Sequence, residues 1–353
     1  MCSGIEFHGS RYTLNIYAFV LDAPAKAFVL AVKYHSGYNS CTKCTIEGIM
    51  YRCVCFPGKI GVLRTDVEFR NSAYQDDYQR SKSIINTIPN LGLVTYVLLD
   101  AMHLVYLGCT KKLLLMWLCS KIRYKLPQLK QDSISDNLLA LREYIPYDFA
   151  RKSRHLKYIK FFKATEYRQF LLYTEPIDFL TLHAAINILS TPILCADEAY
   201  IDYAEQLLSK FVEDLSSLYG PEYITYNFHN LQHLANDVRR YGQLENFSAF
   251  RFENFICRIK RLICTGNAPL QQLMRRCAEI EGMHNIVDNM SKDVLLKMQR
   301  TEGPSALDCA SNVSQYKIVV FNEMKLNCKD GKNMCILVDN KIVVNALNFV
   351  KKK

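Results

Sequence analysis

The sequence lacks a long uninterrupted hydrophobic run. Its first residues, MCSGIEFHGSRYTLN, contain no apolar core of the kind that a secretory signal peptide needs. The most apolar region, Leu91 to Leu107, is interrupted by Asp100 and His103, which a membrane-spanning helix would not readily carry at its middle. We therefore expect a soluble protein with no membrane partner, whose cysteines stay reduced.

Internal repeats and low-complexity tracts are also absent, which argues against a solenoid or a disordered chain. Half of the 353 residues are hydrophobic, enough to bury the core of one large domain or two ordinary ones. The formal charge is +10, which suits a polyanionic partner, although many basic proteins bind no nucleic acid.

The 14 cysteines are expected to be mostly buried thiols, but two of them stand in a CxxC pattern. Cys41 and Cys44 lie in a turn-rich loop, and His229 and His233 lie four apart in HNLQH on a predicted helix. Together they match a Cys2His2 zinc set, which would clamp two distant parts of the chain. The alternative is a chance CxxC and two polar residues at a helix edge. A zinc protease is disfavoured because Asn230 replaces the glutamate of HExxH.

The periodicity of the sequence predicts an α/β protein. The stretches at 11–21 and 93–99 are β-branched or apolar and predict buried strands that end at Asp22 and Asp100. Residues 125–220 predict a helical block, followed by two further helices that end at Gly242 and Gly266. After about residue 280, short strand-like pieces predict a small β-rich segment.

Three carboxylates could support metal chemistry. Asp22 and Asp100 close the predicted strands, and Glu253 begins a basic helix. Such a set can hold two divalent cations for phosphodiester cleavage. Arg258, Lys260 and Arg261 follow on the same helix and could contact DNA phosphates. The alternative is that both aspartates are strand caps and Glu253 is a solvated helix residue.

Several blocks of the chain resemble transposases of the CACTA (En/Spm) group. They are LDAPAKAFVLAVKYHSGYNSCTKCTIEG, DAMHLVYLG, KATEYRQFLLYT, LHAAINILS, FVEDLSSLYG and HNLQHLANDVRRYGQLENFSAFRFENFICRIKRLICTGN, in that order, and the overall likeness covers residues 4–280. The resemblance implies a partial ribonuclease-H-like core with a long, mostly α-helical insertion, as in the Transib transposases. It also implies a nuclear protein that acts on double-stranded DNA at transposon ends and that can form a homo-oligomer.

The resemblance assigns a role to each candidate residue. Asp22 would be the second catalytic aspartate and Glu253 the catalytic glutamate, with Mg²⁺ or Mn²⁺ as their cations. Asp100 and His103 match a DxxH motif near the catalytic pocket. Cys41, Cys44, His229 and His233 would hold a structural Zn²⁺. The implied domains are 1–124 (partial core with the CxxC loop), 125–225 (helical insertion), 226–280 (zinc-histidine and glutamate helices) and 281–353 (β-rich segment).

One feature of the family has no counterpart in this sequence. The first catalytic aspartate should precede Asp22, yet Glu6 is the only acidic residue there and stands in no matching motif. We therefore expect a transposase-derived chain that is inactive as an enzyme. The alternatives are a non-catalytic DNA-binding or chromatin protein on the same scaffold, and a helical protein–protein module that binds no DNA.

Overall fold

The chain divides into two compact units in the computed structural model. Unit 1 comprises Met1–Leu141 and Ser153–Asn254, and unit 2 comprises Arg142–Lys152 and Phe255–Lys353. The structure describes residues 5–7, 10–12, 15–75, 77–119, 124–147, 149–174, 180–287, 295–301, 313–321, 324–328, 334–337, 342–345 and 349–352.

Unit 1 begins with short strands and helices. In chain order these are β1 (Ile5–Phe7), β2 (Ser10–Tyr12), β3 (Phe19–Leu21), α1 (Ala23–Val29), β4 (Ile49–Met50), β5 (Val54–Cys55), α2 (Asp66–Arg70) and β6 (Val97–Leu99). β1 pairs with β2 and β4 with β5, both antiparallel, whereas β3 and β6 are parallel.

The parallel pair of β3 and β6 sets the position of the candidate carboxylates. Phe19 lies opposite Val97 and Leu21 lies opposite Leu99. All of β6 is buried, as expected for a continuous apolar run in a parallel sheet. Because the strands run side by side in register, the residues that follow them, Asp22 and Asp100, emerge at the same edge.

The rest of unit 1 is helical. A π-helix, Met102–Thr110, follows β6 and continues as α3 (Lys111–Cys119). Then come α4 (Gln128–Ala140), α5 (Ala164–Tyr173), α6 (Leu180–Ser190), α7 (Glu198–Tyr219), α8 (Tyr226–Asn230) and α9 (Leu234–Tyr241), with 3₁₀ turns at Ile84–Thr87, Leu156–Phe161, Leu194–Ala196, Pro221–Tyr223, Leu231–His233 and Leu244–Phe247. The helix α10 (Phe250–Leu262) and the 3₁₀ turn Leu141–Glu143 each begin in unit 1 and end in unit 2.

The longest helix, α7, ends where the predicted helical block of residues 125–220 ends. Asp197 caps its first turn by accepting from Ala199 N, and Gly220 ends it at φ 106°. Its buried side chains recur every three or four residues and face the core: Ile201, Ala204, Leu208, Val212 and Leu215.

One large hydrophobic core joins the strand region to the helical block. Leu98 and Leu99 of β6 belong to the same buried cluster as Leu171 of α5, Leu182 of α6 and Leu208 of α7. The helices of residues 125–225 therefore share a core with the strands, and the observed division differs from the domain boundaries that the sequence indicates.

Unit 2 contains the strands that the C-terminal sequence predicts. Its elements after α10 are α11 (Pro269–Val287), β7 (Leu295–Arg300), β8 (Val313–Phe321), β9 (Met324–Asn327), β10 (Met334–Leu337), β11 (Ile342–Asn345) and β12 (Phe349–Lys352). β8 pairs antiparallel with β7, β9 and β12, and β10 pairs with β11.

The predicted α/β class is confirmed as a mixed, mostly helical fold with small sheets. Phe252, Phe255 and Ile256 recur at helical spacing along α10, which would suit a buried face, but all three side chains are exposed. None of the helices within the described residues combines the length and the apolar character needed to cross a membrane.

Candidate metal centre and carboxylate edge

The CxxC loop is held in place by protein contacts that do not require a metal ion. Cys41 and Cys44 are both fully buried. Arg64 donates from Nε to Cys41 O at 3.1 Å, and its guanidinium lies 3.9 Å from the centre of the Tyr78 ring. The backbone amides of Lys43 and Cys44 donate to Cys41 Sγ. The loop therefore presents two sulfurs toward one point.

The histidines come from a bent segment rather than from one regular helix. His229 lies in α8, and His233 ends the 3₁₀ turn that separates α8 from α9. Asn230 Nδ2 donates to Tyr226 O at 2.7 Å inside this segment. Both imidazoles are buried, and their Nε2 atoms lie 3.4 Å apart. The sequence predicts that His229 and His233 lie on one face of a single helix. In the structure a 3₁₀ turn lies between α8 and α9, and this more tightly wound backbone brings the two Nε2 atoms together.

The four ligand atoms all lie within 4.8 Å of one another. Their separations are 3.6 Å for Cys41 Sγ to Cys44 Sγ, 3.6 Å for Cys41 Sγ to His233 Nε2, and 3.3 Å for Cys44 Sγ to His229 Nε2. A tetrahedral zinc ion with ordinary Zn–S and Zn–N bonds requires about 3.8 Å between sulfurs, about 3.6 Å between sulfur and nitrogen, and about 3.4 Å between nitrogens. The residues therefore fit Zn²⁺ without rearrangement.

The protonation of the cluster also suits a metal. Burial lowers the pKa of His233, so its imidazole is neutral, which is the ligand form. The hydrogen bond from Cys41, together with His229 and His233, lowers the pKa of Cys44, whereas burial raises that of Cys41. The Nδ1 atoms of both histidines are buried without a hydrogen-bond partner in the protein, so packing orients the rings. The Phe56 ring, 5.7 Å from that of His229, supplies part of this packing.

A buried ion pair ties the metal loop to the sheet, and sequence reasoning missed it. Lys43 Nζ donates to Asp237 Oδ1 at 2.7 Å and to Val94 O at 3.2 Å. The other oxygen of Asp237 accepts from Leu99 N, at the end of β6, at 2.8 Å. Two features of the sequence could have indicated this ion pair. Lys43 lies inside the CxxC motif, and Asp237 lies four residues after His233.

The candidate catalytic residues gather around His103 in unit 1. His103 Nδ1 donates to Asp100 Oδ2 at 2.5 Å. This hydrogen bond raises the pKa of His103, and the charges of Asp22 and Glu253 raise it further. Asp22 and Glu253 therefore lie within electrostatic reach of the same imidazole, although they are far apart in sequence.

Asp100 accepts more hydrogen bonds than a carboxylate that is free to bind a metal ion would. Its Oδ1 accepts from Met102 N at 3.0 Å and Ala249 N at 2.7 Å, and its Oδ2 accepts from His103 N at 3.1 Å as well as from the imidazole. These bonds lower its pKa although burial opposes them. Asp100 therefore orients His103 and joins β6 to the segment that precedes α10.

The carboxylates do not form a ready-made cation cage. Asp22 caps the N-terminus of α1 by accepting from Ala25 N at 2.7 Å, a role that the sequence did not indicate. Within the described stretches, the Cys41, Cys44, His229 and His233 group is the only set of at least three histidine, cysteine or acidic ligands whose donor atoms lie within 4.8 Å of one another. The geometry of these residues therefore supplies no support for Mg²⁺ or Mn²⁺.

The predicted DNA-contacting residues lie on α10 and belong to unit 2. Arg258, Lys260 and Arg261 are all exposed, so their charges are available to a polyanion. Glu253, near the start of the same helix, is also exposed.

Comparisons with known proteins add no relative: the chain matches no family model, no curated protein and no solved structure.

Proposed function

We propose that this chain is a transposase-derived protein of the CACTA type, built on part of a ribonuclease-H-like core, that binds double-stranded DNA in the nucleus. Its parent activity is metal-dependent cleavage and transfer of DNA strands at transposon ends. The observation that carries the proposal is the grouping of carboxylates where β3 and β6 end. Two in-register parallel strands each end at an aspartate, and His103 lies within electrostatic reach of Asp22, Asp100 and Glu253.

In this proposal the zinc centre is structural. Cys41, Cys44, His229 and His233 would hold the ion, which has no open position once four protein ligands bind it. The clamp keeps the loop that follows Asp22 and α1 against the segment that precedes Glu253. It therefore stabilises the arrangement of the two carboxylates.

Mg²⁺ or Mn²⁺ is proposed as the cation of the parent chemistry. Asp22 and Glu253 would share it with the phosphate oxygens of bound DNA, because magnesium sites often combine a few carboxylates with substrate oxygens. When bound, the cation would stabilise charge on the phosphodiester oxygens. Asp100 would keep His103 oriented beside the DNA.

A second candidate is a non-catalytic DNA-binding protein that keeps the same scaffold. The engagement of Asp22 and Asp100 in helix capping favours it, because neither carboxylate is free of a hydrogen bond. The exposed cations of α10 and the net charge of +10 suit either candidate.

One experiment tests the DNA proposal and separates the two candidates. Duplex DNA is titrated with the zinc-loaded chain at several salt concentrations, and nicking is measured in Mg²⁺ and in Mn²⁺. The enzyme predicts nicking that Glu253→Ala abolishes while binding persists. The binding protein predicts duplex binding without nicking in either chain. Both predict weaker binding as salt rises, and a smaller salt slope for Arg258→Ala with Lys260→Ala. Absence of salt-dependent binding would rule out both and favour a protein–protein module.

A further inference from the structure

A second pair of sulfurs lies outside the metal centre, at the tip of the β4–β5 hairpin. Cys53 immediately precedes β5 and is exposed, whereas Cys55 ends β5 and is buried. Their Sγ atoms are 3.8 Å apart. Residues two apart on a strand share a face, so both thiols project from the same side of β5.

The surroundings of this pair differ for the two thiols. Cys55 Sγ donates to Glu222 O at 2.9 Å, and burial raises the pKa of Cys55 to about 11. Cys53 is the sulfur that solvent reaches. Lys112 lies close enough to interact electrostatically with both sulfurs, and its ammonium would stabilise a thiolate beside it.

We propose that Cys53 and Cys55 are a redox-active dithiol, which a hydroperoxide converts to an intramolecular disulfide. The Cys53 thiolate attacks the terminal oxygen of the hydroperoxide and the O–O bond breaks, which gives a sulfenic acid on Cys53 and an alkoxide (hydroxide when the oxidant is hydrogen peroxide). The alkoxide takes up the proton that the Cys53 thiol lost and leaves as an alcohol or as water. The Cys55 sulfur then attacks the Cys53 sulfur and displaces hydroxide, which leaves as water with the proton of the Cys55 thiol. In total, two thiols are oxidised and one hydroperoxide is reduced.

The geometry favours this bond over oxidation of isolated thiols. The sulfurs must close from 3.8 Å to about 2.05 Å, the length of a disulfide bond. A neighbouring thiol at this range acts at a high effective concentration, so it captures the sulfenic acid before further oxidation.

The hairpin is also joined to the helix that carries a metal ligand. Phe56, the next residue after β5, donates its backbone N–H to Ile224 O at 2.6 Å, and its ring packs against His229. Lys112 Nζ donates to Thr225 Oγ1, beside the start of α8, at 3.2 Å. Formation of a disulfide in this hairpin would therefore change contacts with α8, the helix that contains the candidate metal ligand His229.

Peptide mapping distinguishes this pair from the cysteines of the metal centre. Trypsin cuts after Arg52 and Lys59, so Cys53 and Cys55 fall in one peptide, residues 53–59. It cuts after Lys43, so Cys41 and Cys44 fall in separate peptides, residues 34–43 and 44–52. A disulfide in the first pair removes two hydrogens from one peptide, whereas one in the second pair joins two peptides.

The test treats the zinc-loaded full chain with hydrogen peroxide, blocks free thiols and maps the digest without reduction. We expect peptide 53–59 to lose two hydrogens and the chain to lose two titratable thiols. This should occur at a dose that leaves the exposed Cys257 mostly reduced, and dithiothreitol should reverse it. Cys53→Ser should abolish the two-hydrogen loss, whereas Cys257→Ser should leave it unchanged. The proposal is overturned if native peptide 53–59 stays a dithiol while Cys257 oxidises, or if it oxidises only in urea. It needs no DNA activity, so its failure would leave the proposed function untouched.

Discussion

At the scale of single residues, the Lys43–Asp237 ion pair links three parts of unit 1. Asp237 contacts the metal loop through Lys43 and the end of β6 through Leu99 N. Both charges are buried, so removing one leaves the other without compensation in a poorly solvated site.

We expect Asp237→Ala to lower the free energy of unfolding by about 3–5 kcal/mol, because it leaves the buried ammonium of Lys43 without its counter-charge and the backbone N–H of Leu99 without an acceptor. Chemical denaturation of the purified chain measures the change. The matched control is Asp214→Ala, which breaks the exposed Lys210–Asp214 pair and should have no measurable effect. Equal losses in the two variants would contradict the role assigned to Asp237.

Lys26 makes stability depend on pH. Burial, and then the charge of Lys43, lowers its pKa from 10.5 to about 8. The folded state therefore disfavours the charged ammonium, at a cost of about 3 kcal/mol below the folded pKa. The unfolded chain binds the proton more tightly, so this cost disappears as pH rises from about 8 to 10.5.

We expect Lys26→Met to be more stable than the natural chain at pH 7, with an advantage that shrinks as pH rises above about 8. Unfolding free energies measured from pH 6 to pH 10, the range in which this lysine would titrate, give the comparison. Lys130→Met, at an exposed site on α4, should show no such trend. If the unfolding free energies of Lys26→Met and of the natural chain differ by the same amount at every pH, the lowered pKa assigned to Lys26 is contradicted.

The sequence could supply the residue types of the zinc set but not its geometry. CxxC and HxxxH are each local patterns, and nothing in either pattern states that segments so distant in the chain meet. The resemblance suggested the pairing, and the separations of the four ligand atoms then showed that the residues fit one ion. Asp100 was harder to interpret, because its partner Ala249 N becomes visible only in three dimensions.

At the scale of elements, the π-helix Met102–Thr110 packs closely against α8. A Cβ added at Gly108 would lie 2.5 Å from Asn227 Nδ2 and 2.8 Å from His103 O. Such distances are too short for non-bonded contact, so a side chain at residue 108 would displace the Asn227 amide and crowd the backbone of the π-helix.

We expect Gly108→Ala to destabilise the fold by about 1–3 kcal/mol, the usual range for an overpacked contact, because the Asn227 amide must move aside and the backbone oxygen of His103 is too close for a Cβ. Gly266→Ala is the control, since nothing lies within 4 Å of a Cβ there. Thermal unfolding of both variants tests this, and an unchanged Gly108→Ala midpoint would show that the contact is not tight.

Helices were predicted better than strands. The bounds of α7 follow from its apolar period and from Gly220. Within the described residues, the apolar stretch at 11–21 divides between β2, which contains Arg11 and Tyr12, and β3, and the stretch at 93–99 contributes only Val97–Leu99. Hydrophobicity indicates burial, but the length of a strand depends on a hydrogen-bonding partner that lies elsewhere in the chain.

At the scale of the whole molecule, unit 1 depends on contacts between segments that are distant in sequence. β3 pairs with β6, the CxxC loop meets α8, and Asp100 binds the segment before α10. The zinc centre is the one of these contacts that a metal ion would reinforce, and its binding energy would add directly to folding.

X-ray absorption spectroscopy at the zinc edge of the purified full chain tests the central claim most directly. The account predicts about one zinc per chain, with two sulfurs at about 2.3 Å and two nitrogens at about 2.0–2.1 Å. Cys41→Ser should remove the metal or reduce the sulfur shell to one atom. A chain that binds no zinc, or zinc surrounded only by nitrogen and oxygen, would contradict the account.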